Sequence, residues 1–360
     1  MTYLLLHCII FFIITYFMIK LFIQFAPKLG FVDIPNERSS HVKITPRGAG
    51  IVFGFTYLLA LITFDLSLFS ENYLVYLAIF IIYICGVLDD KFNISAKQKL
   101  VFIVVASVIV FFQGYQITNI GEFFNVQLNL GYLALPVTVF VIVALTNAVN
   151  LSDGLDGLAG SLASIILTAV FFIGFIYNDV FLMSWSSILI AIILAFLFFN
   201  WHPAKVFMGD SGSLLLGFII SILAIKSLEY ISAVSILFLA AIPVLDTFVV
   251  FRRRIQRGQS PFSADKNHLH HILNNMKQDK KFTVNMLLMI QFVFCCMFIQ
   301  LHEKGDELNI LIFFLLFLIF FNLFDPRMRR RNDKFRLRKK YKKQKEKNKI
   351  LKEKLENIQV

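Results

Sequence analysis

The residues able to do chemistry gather in four polar clusters, three of them directly following an apolar run. The fullest is NAVNLSDGLDGLAGS (147–161), where Asn, Asp and Gly crowd together after an uninterrupted hydrophobic stretch. Carboxylates and carboxamides are costly at membrane depth and persist where they line a wet cavity, pair with a charge or bind a cation. A polar turn between helices is the plainer alternative, since the same residue types build turns. Asn150, Asp153 and Asp156, with Asp210 of NWHPAKVFMGDSGS (200–213), offer oxygen ligands without Cys or a dense His set. That hard donor set suits Mg²⁺ or Mn²⁺ better than zinc. Magnesium commonly takes only one or two protein ligands, so two of the four suffice and the others are left for substrate or lysine.

The other two clusters add acid, base and positive charge. Asp89-Asp90-Lys91, followed by Lys97 and Lys99, holds two carboxylates in sequence. Like charges held close favour sharing a proton, which suits proton transfer, and the pair cannot point the same way. One is therefore expected to face a cavity while the other meets a lysine or the backbone; a charged helix cap is the alternative. SPFSADKNHLHH (260–271) sets His268, His270 and His271 in a loop that also carries Arg252, Arg253, Arg254, Arg257 and Lys266. Three imidazoles among guanidinium groups look built to hold phosphate, although a basic loop can simply reflect membrane charge bias.

Several chemistries are excluded. No Walker A or dinucleotide glycine motif occurs, so ATP hydrolysis and nicotinamide chemistry have no support. GDSGS (209–213) superficially matches the nucleophile segment of trypsin-like proteases, but it opens into an apolar helix in a chain with no all-β pattern. Phe207 and Met208 precede Gly209, so the Gly-x-Gly-Asp run of intramembrane aspartyl proteases is missing too.

The elements that must position these clusters are membrane helices. The chain is 58% hydrophobic with 42 Phe, and its mean hydropathy is +0.73. Apolar stretches of bilayer-spanning length recur from end to end. The pattern predicts an all-α polytopic membrane protein of about eleven spans, near 2–25, 48–66, 73–88, 100–113, 131–149, 158–177, 181–199, 212–228, 231–251, 283–301 and 308–324. The first run has no basic n-region or small-residue cleavage site and reads as a retained span. Cys8, Cys85, Cys295 and Cys296 lie within apolar stretches without ligand spacing and read as packing residues.

Charge then orients the bundle. With eleven spans, one set of loops holds Lys28, Arg38, Lys43, Arg47, Lys91, Lys97, Lys99, Lys205, the 252–281 loop and the C-terminal tail, while the opposite set holds only Lys226 and Lys304. The positive-inside rule puts the N-terminus outside and the C-terminus in the cytoplasm. A membrane domain over 1–324, with cytoplasmic loops at 26–50, 89–99, 150–157, 200–212 and 252–281, then carries all four clusters on one face. The tail, 325–360, has sixteen Lys or Arg against five Asp or Glu, hence +11 of the chain's +12. Next to a membrane span it reads as a helix near anionic headgroups, so membrane lipids are its partner and nucleic acid is not.

The order DDK, NAVNLSDGLDGLAGS, KVFMGDSGS and HLHH over cytoplasmic loops resembles the polyprenyl-phosphate N-acetylhexosamine-1-phosphate transferases, across about residues 30–275. That resemblance implies transfer of a sugar 1-phosphate from a UDP-N-acetylhexosamine to undecaprenyl phosphate in the bacterial inner membrane, with UMP released and Mg²⁺ required. It implies that Asn150 and Asp210 coordinate the metal and that Asp153 and Asp156 organise metal and diphosphate. Asp89 is implied near the polyprenyl phosphate, with Asp90 beside it. Lys91 and Lys99 are implied to neutralise phosphate, and Arg257, His268, His270 and His271 to bind diphosphate or sugar. Asn147 and Asn200, which open their clusters, are read as substrate-binding. The loop SHVKITPRGAG (40–50) is similar to the family's first cytoplasmic loop, which implies that His41 and Lys43 contact substrate. Leu269 interrupts the histidines, whereas the peptidoglycan branch has three in a row. This favours UDP-GlcNAc or a close relative over UDP-MurNAc-pentapeptide. A homodimer is compatible with the family, though no residue pattern demands one. Two other classes compete: a transporter or lipid flippase with a midplane ion site, and a scaffold that recruits partners through its tail.

Overall fold

The computed structural model describes residues 1–34, 44–256, 258, 268–277, 279–301 and 304–324. The chain divides into two compact units, Met1–Phe313 and Phe314–Val360. The four clusters lie in the first, and the described part of the second is helical. His41, Lys43, Arg257 and the basic tail lie outside the described residues.

Helices dominate because long apolar runs must satisfy their own backbone in lipid. In chain order they are α1 (Thr2–Leu29), α2 (Ala49–Phe64), α3 (Leu66–Glu71), α4 (Tyr73–Phe92), α5 (Ala96–Phe112), α6 (Ala134–Leu151), α7 (Leu158–Tyr177), α8 (Val180–Asn200), α9 (Asp210–Ser227), α10 (Ile236–Leu239), α11 (Ala241–Gln256), α12 (Leu269–Lys277), α13 (Lys280–Leu301) and α14 (Asp306–Phe324). The expectation of an all-α chain needs one correction, since there are two short antiparallel ribbons. β1 (Val32–Asp33) pairs with β2 (Thr45–Pro46), and β3 (Asn119–Phe123) pairs with β4 (Val126–Asn129). Both lie between helices, where neighbouring helices no longer dictate the backbone.

Among the described residues seven helices are long and apolar enough to cross a membrane. They coincide with seven of the eleven expected spans, so the protein is multi-pass. The other four expected spans fall outside that set. α2 and α5 have 16 and 17 residues, and 308–324 falls on α14. The stretch 231–251 breaks at Ala240, whose backbone leaves helical geometry between α10 and α11. α4 also runs further than its expected end at 88, so Asp89 and Asp90 sit on its last turn rather than in a loop.

Burial grades the helices from lipid to core. α1 turns Leu5, Leu6, Ile9, Ile13, Phe17 and Leu21 outward. Such an apolar band would be a liability in water and is ordinary against acyl chains. α9 is the opposite case, with nine-tenths of its span buried. Ser211, Gly212, Ser213, Gly217 and Ser221 give it a narrow surface on which α2, α4 and α6 pack closely. Polar side chains stitch the outer helices to this core. His7 bonds the Ala60 carbonyl at 2.8 Å and Thr15 donates to Thr56 at 3.0 Å. The result is a central helix whose first residue, Asp210, is fixed from several sides at once.

Candidate active site

Asp210 is the hub of the site. The ends of α4, α5, α6 and α9 converge on it, because the helices alternate in direction and their polar termini collect together. Lys99, on the first turn of α5, donates to Asp210 Oδ2 at 2.5 Å and to Asp89 Oδ2 at 2.7 Å. Asn150, near the end of α6, donates through Nδ2 to Asp210 Oδ1 at 3.0 Å and to Ser213 Oγ at 2.7 Å. A capping box on Ser95 and Gln98 fixes the start of α5 and with it the reach of Lys99.

Asp89 and Asp90 do split as adjacent residues must. Asp89 meets lysine, whereas Asp90 meets backbone. Asp90 accepts from the amide of Asp210 at 2.8 Å, from the amide of Ser211 at 3.0 Å and from Ser211 Oγ at 2.5 Å. These amides are unpaired donors at the start of α9, so a carboxylate from α4 caps a helix distant in sequence. The expectation that one of the pair faces the cavity is corrected, because neither lines it. Gly209 makes the approach possible: its φ of 76° and ψ of 172° suit glycine, and a Cβ there would stand 2.4 Å from Asp90 Oδ2.

A cavity of about 240 Å³ opens beside this hub, lined by Asn150, Asp153, Asp156, Asp210, Arg47 and Asp33 among others. All four oxygen donors singled out from the sequence therefore share one space. Burial, with Asp210, Asp90 and Asp156 close by and despite Arg47, pushes the Asp153 carboxyl up to about 7. A divalent cation would relieve that crowding. Among the described residues no three His, Cys, Asp or Glu converge as a ready metal cage. The donor set fits a hard ion that takes one or two protein oxygens and completes its shell with phosphate and water. Asn150 spends its amide nitrogen on Asp210, which leaves its oxygen as the atom for a cation.

Three other expected site residues make structural hydrogen bonds. Asn200 is buried and lines the same cavity; its oxygen accepts from the Gly157 amide at 2.9 Å and its nitrogen donates to the Val206 carbonyl at 2.9 Å, tying the Asp156 loop to the Asp210 loop. Asn147 donates to Val143 of its own helix. Lys91 donates to the Leu29 carbonyl and lies over the Phe31 ring, which docks the end of α1. None of the three has its side chain at the Asp210 hub.

One of the histidines, His270, reaches the site. His268 and His270 are buried, and a Cβ on Gly154 would lie 2.0 Å from His270 Nε2, so the ring rests on the Asp153–Asp156 loop. Burial, together with His271 and His268 and against the pull of Asp246, lowers His270 to about 3 and keeps it neutral. Among the described residues its buried Nε2 has no hydrogen-bond partner. His271 packs beside it, with ring centroids 4.3 Å apart and planes tilted by 49°.

Three supports escaped the sequence reading. Asp246 on α11 holds His268 Nδ1 at 2.9 Å and the Leu269 amide at 2.8 Å, capping α12 and anchoring the histidines. Its signal was an aspartate inside an apolar run, AIPVLDTFVV. His202 pairs through Nδ1 with Asp156 at 2.6 Å. Arg47 reaches Asp90 Oδ1 through Nε at 3.2 Å and lies 3.9 Å from Asp210 through Nη2. Burial works against its charge, but Asp90, Asp210, Asp33 and Asp89 outweigh it and hold its pKa above the usual guanidinium value. Asp246→Ala is expected to destabilise the protein by about 1–3 kcal/mol, because two buried donors lose their acceptor. A clearly lower thermal midpoint checks this, and an unchanged one would show that His268 and Leu269 find another partner.

A membrane bundle that gathers carboxylates, an ammonium, a guanidinium and imidazoles at one set of helix ends defines a membrane enzyme acting on anionic substrates. The model of glycosyl transferase family 4 matches residues 72–228. The chain is 35% identical over 302 residues to the Bacillus subtilis (strain 168) protein named "Probable undecaprenyl-phosphate N-acetylglucosaminyl 1-phosphate transferase", covering 81% of this chain and 83% of that one. It is 33% identical over 279 residues to the Salmonella typhi undecaprenyl-phosphate alpha-N-acetylglucosaminyl 1-phosphate transferase, at 73% and 74% coverage. It is 34% identical over 269 residues to the Yersinia pestis protein of the same name, at 69% and 70%. The chain belongs to glycosyl transferase family 4, among its membrane phosphoglycosyl transferases.

Proposed function

We propose that the protein transfers N-acetylglucosamine 1-phosphate from UDP-GlcNAc to undecaprenyl phosphate, giving undecaprenyl-diphospho-GlcNAc and UMP, at the cytoplasmic face of a bacterial inner membrane. The reaction begins a cell-envelope polysaccharide. The observation that carries this reading is the single cavity on which Asn150, Asp153, Asp156, Asp210 and Arg47 converge. The names of the relatives support the lipid acceptor and the sugar. The bias of Lys and Arg toward the loops that bear the site supports its cytoplasmic orientation.

The reaction joins two anions, so it needs charge neutralisation and in-line positioning more than covalent chemistry. An oxygen of undecaprenyl phosphate attacks the β-phosphorus of the UDP-sugar. The bond from that phosphorus to the bridging oxygen breaks, and UMP leaves with the electron pair. Mg²⁺, held by Asp210 and Asn150 with Asp153 or Asp156 nearby, would supply electrostatic stabilisation of the diphosphate. Lys99 keeps Asp89 and Asp210 from repelling each other. Asp89, buried off the cavity and held at 2.7 Å by Lys99, is read as acting on the acceptor through that lysine. Asp90 is a positioning residue, since its oxygens are committed to the start of α9. His270, neutral, serves as a hydrogen-bonding partner beside the Asp153–Asp156 loop.

Purified protein with Mg²⁺ and undecaprenyl phosphate should release UMP from UDP-GlcNAc and leave UDP-MurNAc-pentapeptide untouched. Turnover of the pentapeptide donor would move the protein to the peptidoglycan branch. An absence of UMP release with any UDP-sugar would favour a transporter instead.

A further inference from the structure

We infer that Arg47 is the residue that grips the diphosphate of the sugar donor, an assignment that rests on the proposed transfer reaction. The side chains expected to neutralise phosphate are engaged elsewhere or stand off the cavity. Lys99 Nζ is already held at 2.7 and 2.5 Å by two carboxylates. Lys91 is exposed and bound to the Leu29 carbonyl. Among the described residues that line the cavity, Arg47 is the one basic side chain, and it stands there with four aspartates.

Its guanidinium is anchored at one end and available at the other. Nε meets Asp90, whose side chain is fully buried, at 3.2 Å. Nη2 stands 3.9 Å from Asp210, within ion-pair range but beyond a hydrogen bond, and the arginine side chain keeps 30% exposure. The terminal N–H groups thus retain donor capacity, and they lie beside the carboxylates assigned to the metal. A planar fork with spare donors matches two phosphate oxygens in a way an ammonium does not.

The backbone holds the arginine in place. Its amide donates to Phe31 at 3.0 Å, and the amides of Gly48 and Ala49 both donate to the Phe207 carbonyl, at 3.2 and 3.1 Å. Phe207 returns a bond to Pro46 at 2.8 Å. The loop that carries Arg47 is therefore fastened to the segment that leads into Asp210, so cation and carboxylate keep a fixed spacing. Preorganisation of this kind lets an electrostatic contact act without reordering the site.

The test is calorimetric titration of UDP, and separately of uridine, into the full-length protein in lipid nanodiscs with Mg²⁺ and no acceptor, alongside steady-state kinetics. Arg47→Gln should weaken UDP binding by roughly ten- to a hundredfold, the range for a lost charge-assisted contact, and raise KM for UDP-GlcNAc in parallel. Uridine binding and KM for undecaprenyl phosphate should stay as in the wild type. Arg47→Lys should recover part of the UDP affinity, because charge returns without the fork. Wild-type UDP affinity in Arg47→Gln, or equal losses for UDP and uridine, would overturn the assignment and leave Arg47 as a brace for Asp90. A wild-type protein that neither binds UDP nor releases UMP would remove the transfer reading itself, and this inference with it.

Discussion

Asp210→Ala is expected to abolish sugar-phosphate transfer, with a loss of at least about 10²–10³ in turnover, the range for removing a principal electrostatic stabiliser. The size follows from how much this carboxylate holds. Its loss leaves the Lys99 ammonium paired with Asp89 alone and strips Asn150 of one acceptor. It also takes a proposed metal oxygen from the cavity. Buried Asp89 would keep its 2.7 Å bond to Lys99 while the cluster loses one negative charge. UMP release measured across a range of Mg²⁺ concentrations decides the matter. Transfer at the wild-type rate, in a protein with an unchanged thermal midpoint, would take Asp210 out of the chemistry.

Gly209→Ala should do comparable damage by a different route, through the backbone. A side chain at φ 76° and ψ 172° costs on the order of 1–3 kcal/mol from strain alone. The new Cβ would also stand 2.4 Å from Asp90 Oδ2 and 2.6 Å from Oδ1. Something must shift, and the groups beside it are the cap of α9 and the Arg47 pair. The expected result is a lower thermal midpoint together with near-complete loss of transfer. A variant with both properties intact would mean that the start of α9 is looser than its hydrogen bonds imply.

The two substitutions separate two layers of the site. Asp210 is a charge that substrates and metal would feel directly. Gly209 carries no functional group, and its effect passes through Asp90 and the first turn of α9. Equal loss of transfer with unequal loss of stability is the pattern expected of this arrangement.

Much was legible in the sequence because the signals are local. Hydropathy follows from residue type, so the multi-pass class and seven of the helices could be read directly. The Asn150, Asp153, Asp156 and Asp210 set stood out because carboxylates are rare beside apolar runs, and these residues share one cavity. Helix termini were less legible. The end of α4 past Asp90 and the break at Ala240 depend on neighbours that hydropathy does not register.

Tertiary structure alone decided who partners whom. Lys99 and Asp210 are 111 positions apart, and Asp90 caps a helix 120 positions away. A bond of that kind has no period or spacing to betray it, since it exists only once alternating helices bring their polar ends together. For the same reason Asp246, His202 and Arg47 could not be matched to His268, Asp156 and Asp90 from composition. Residue type is written along the chain and fixes which chemistry is possible. Geometry arises from packing, and it determines which of those groups meet the substrates and which hold the others still.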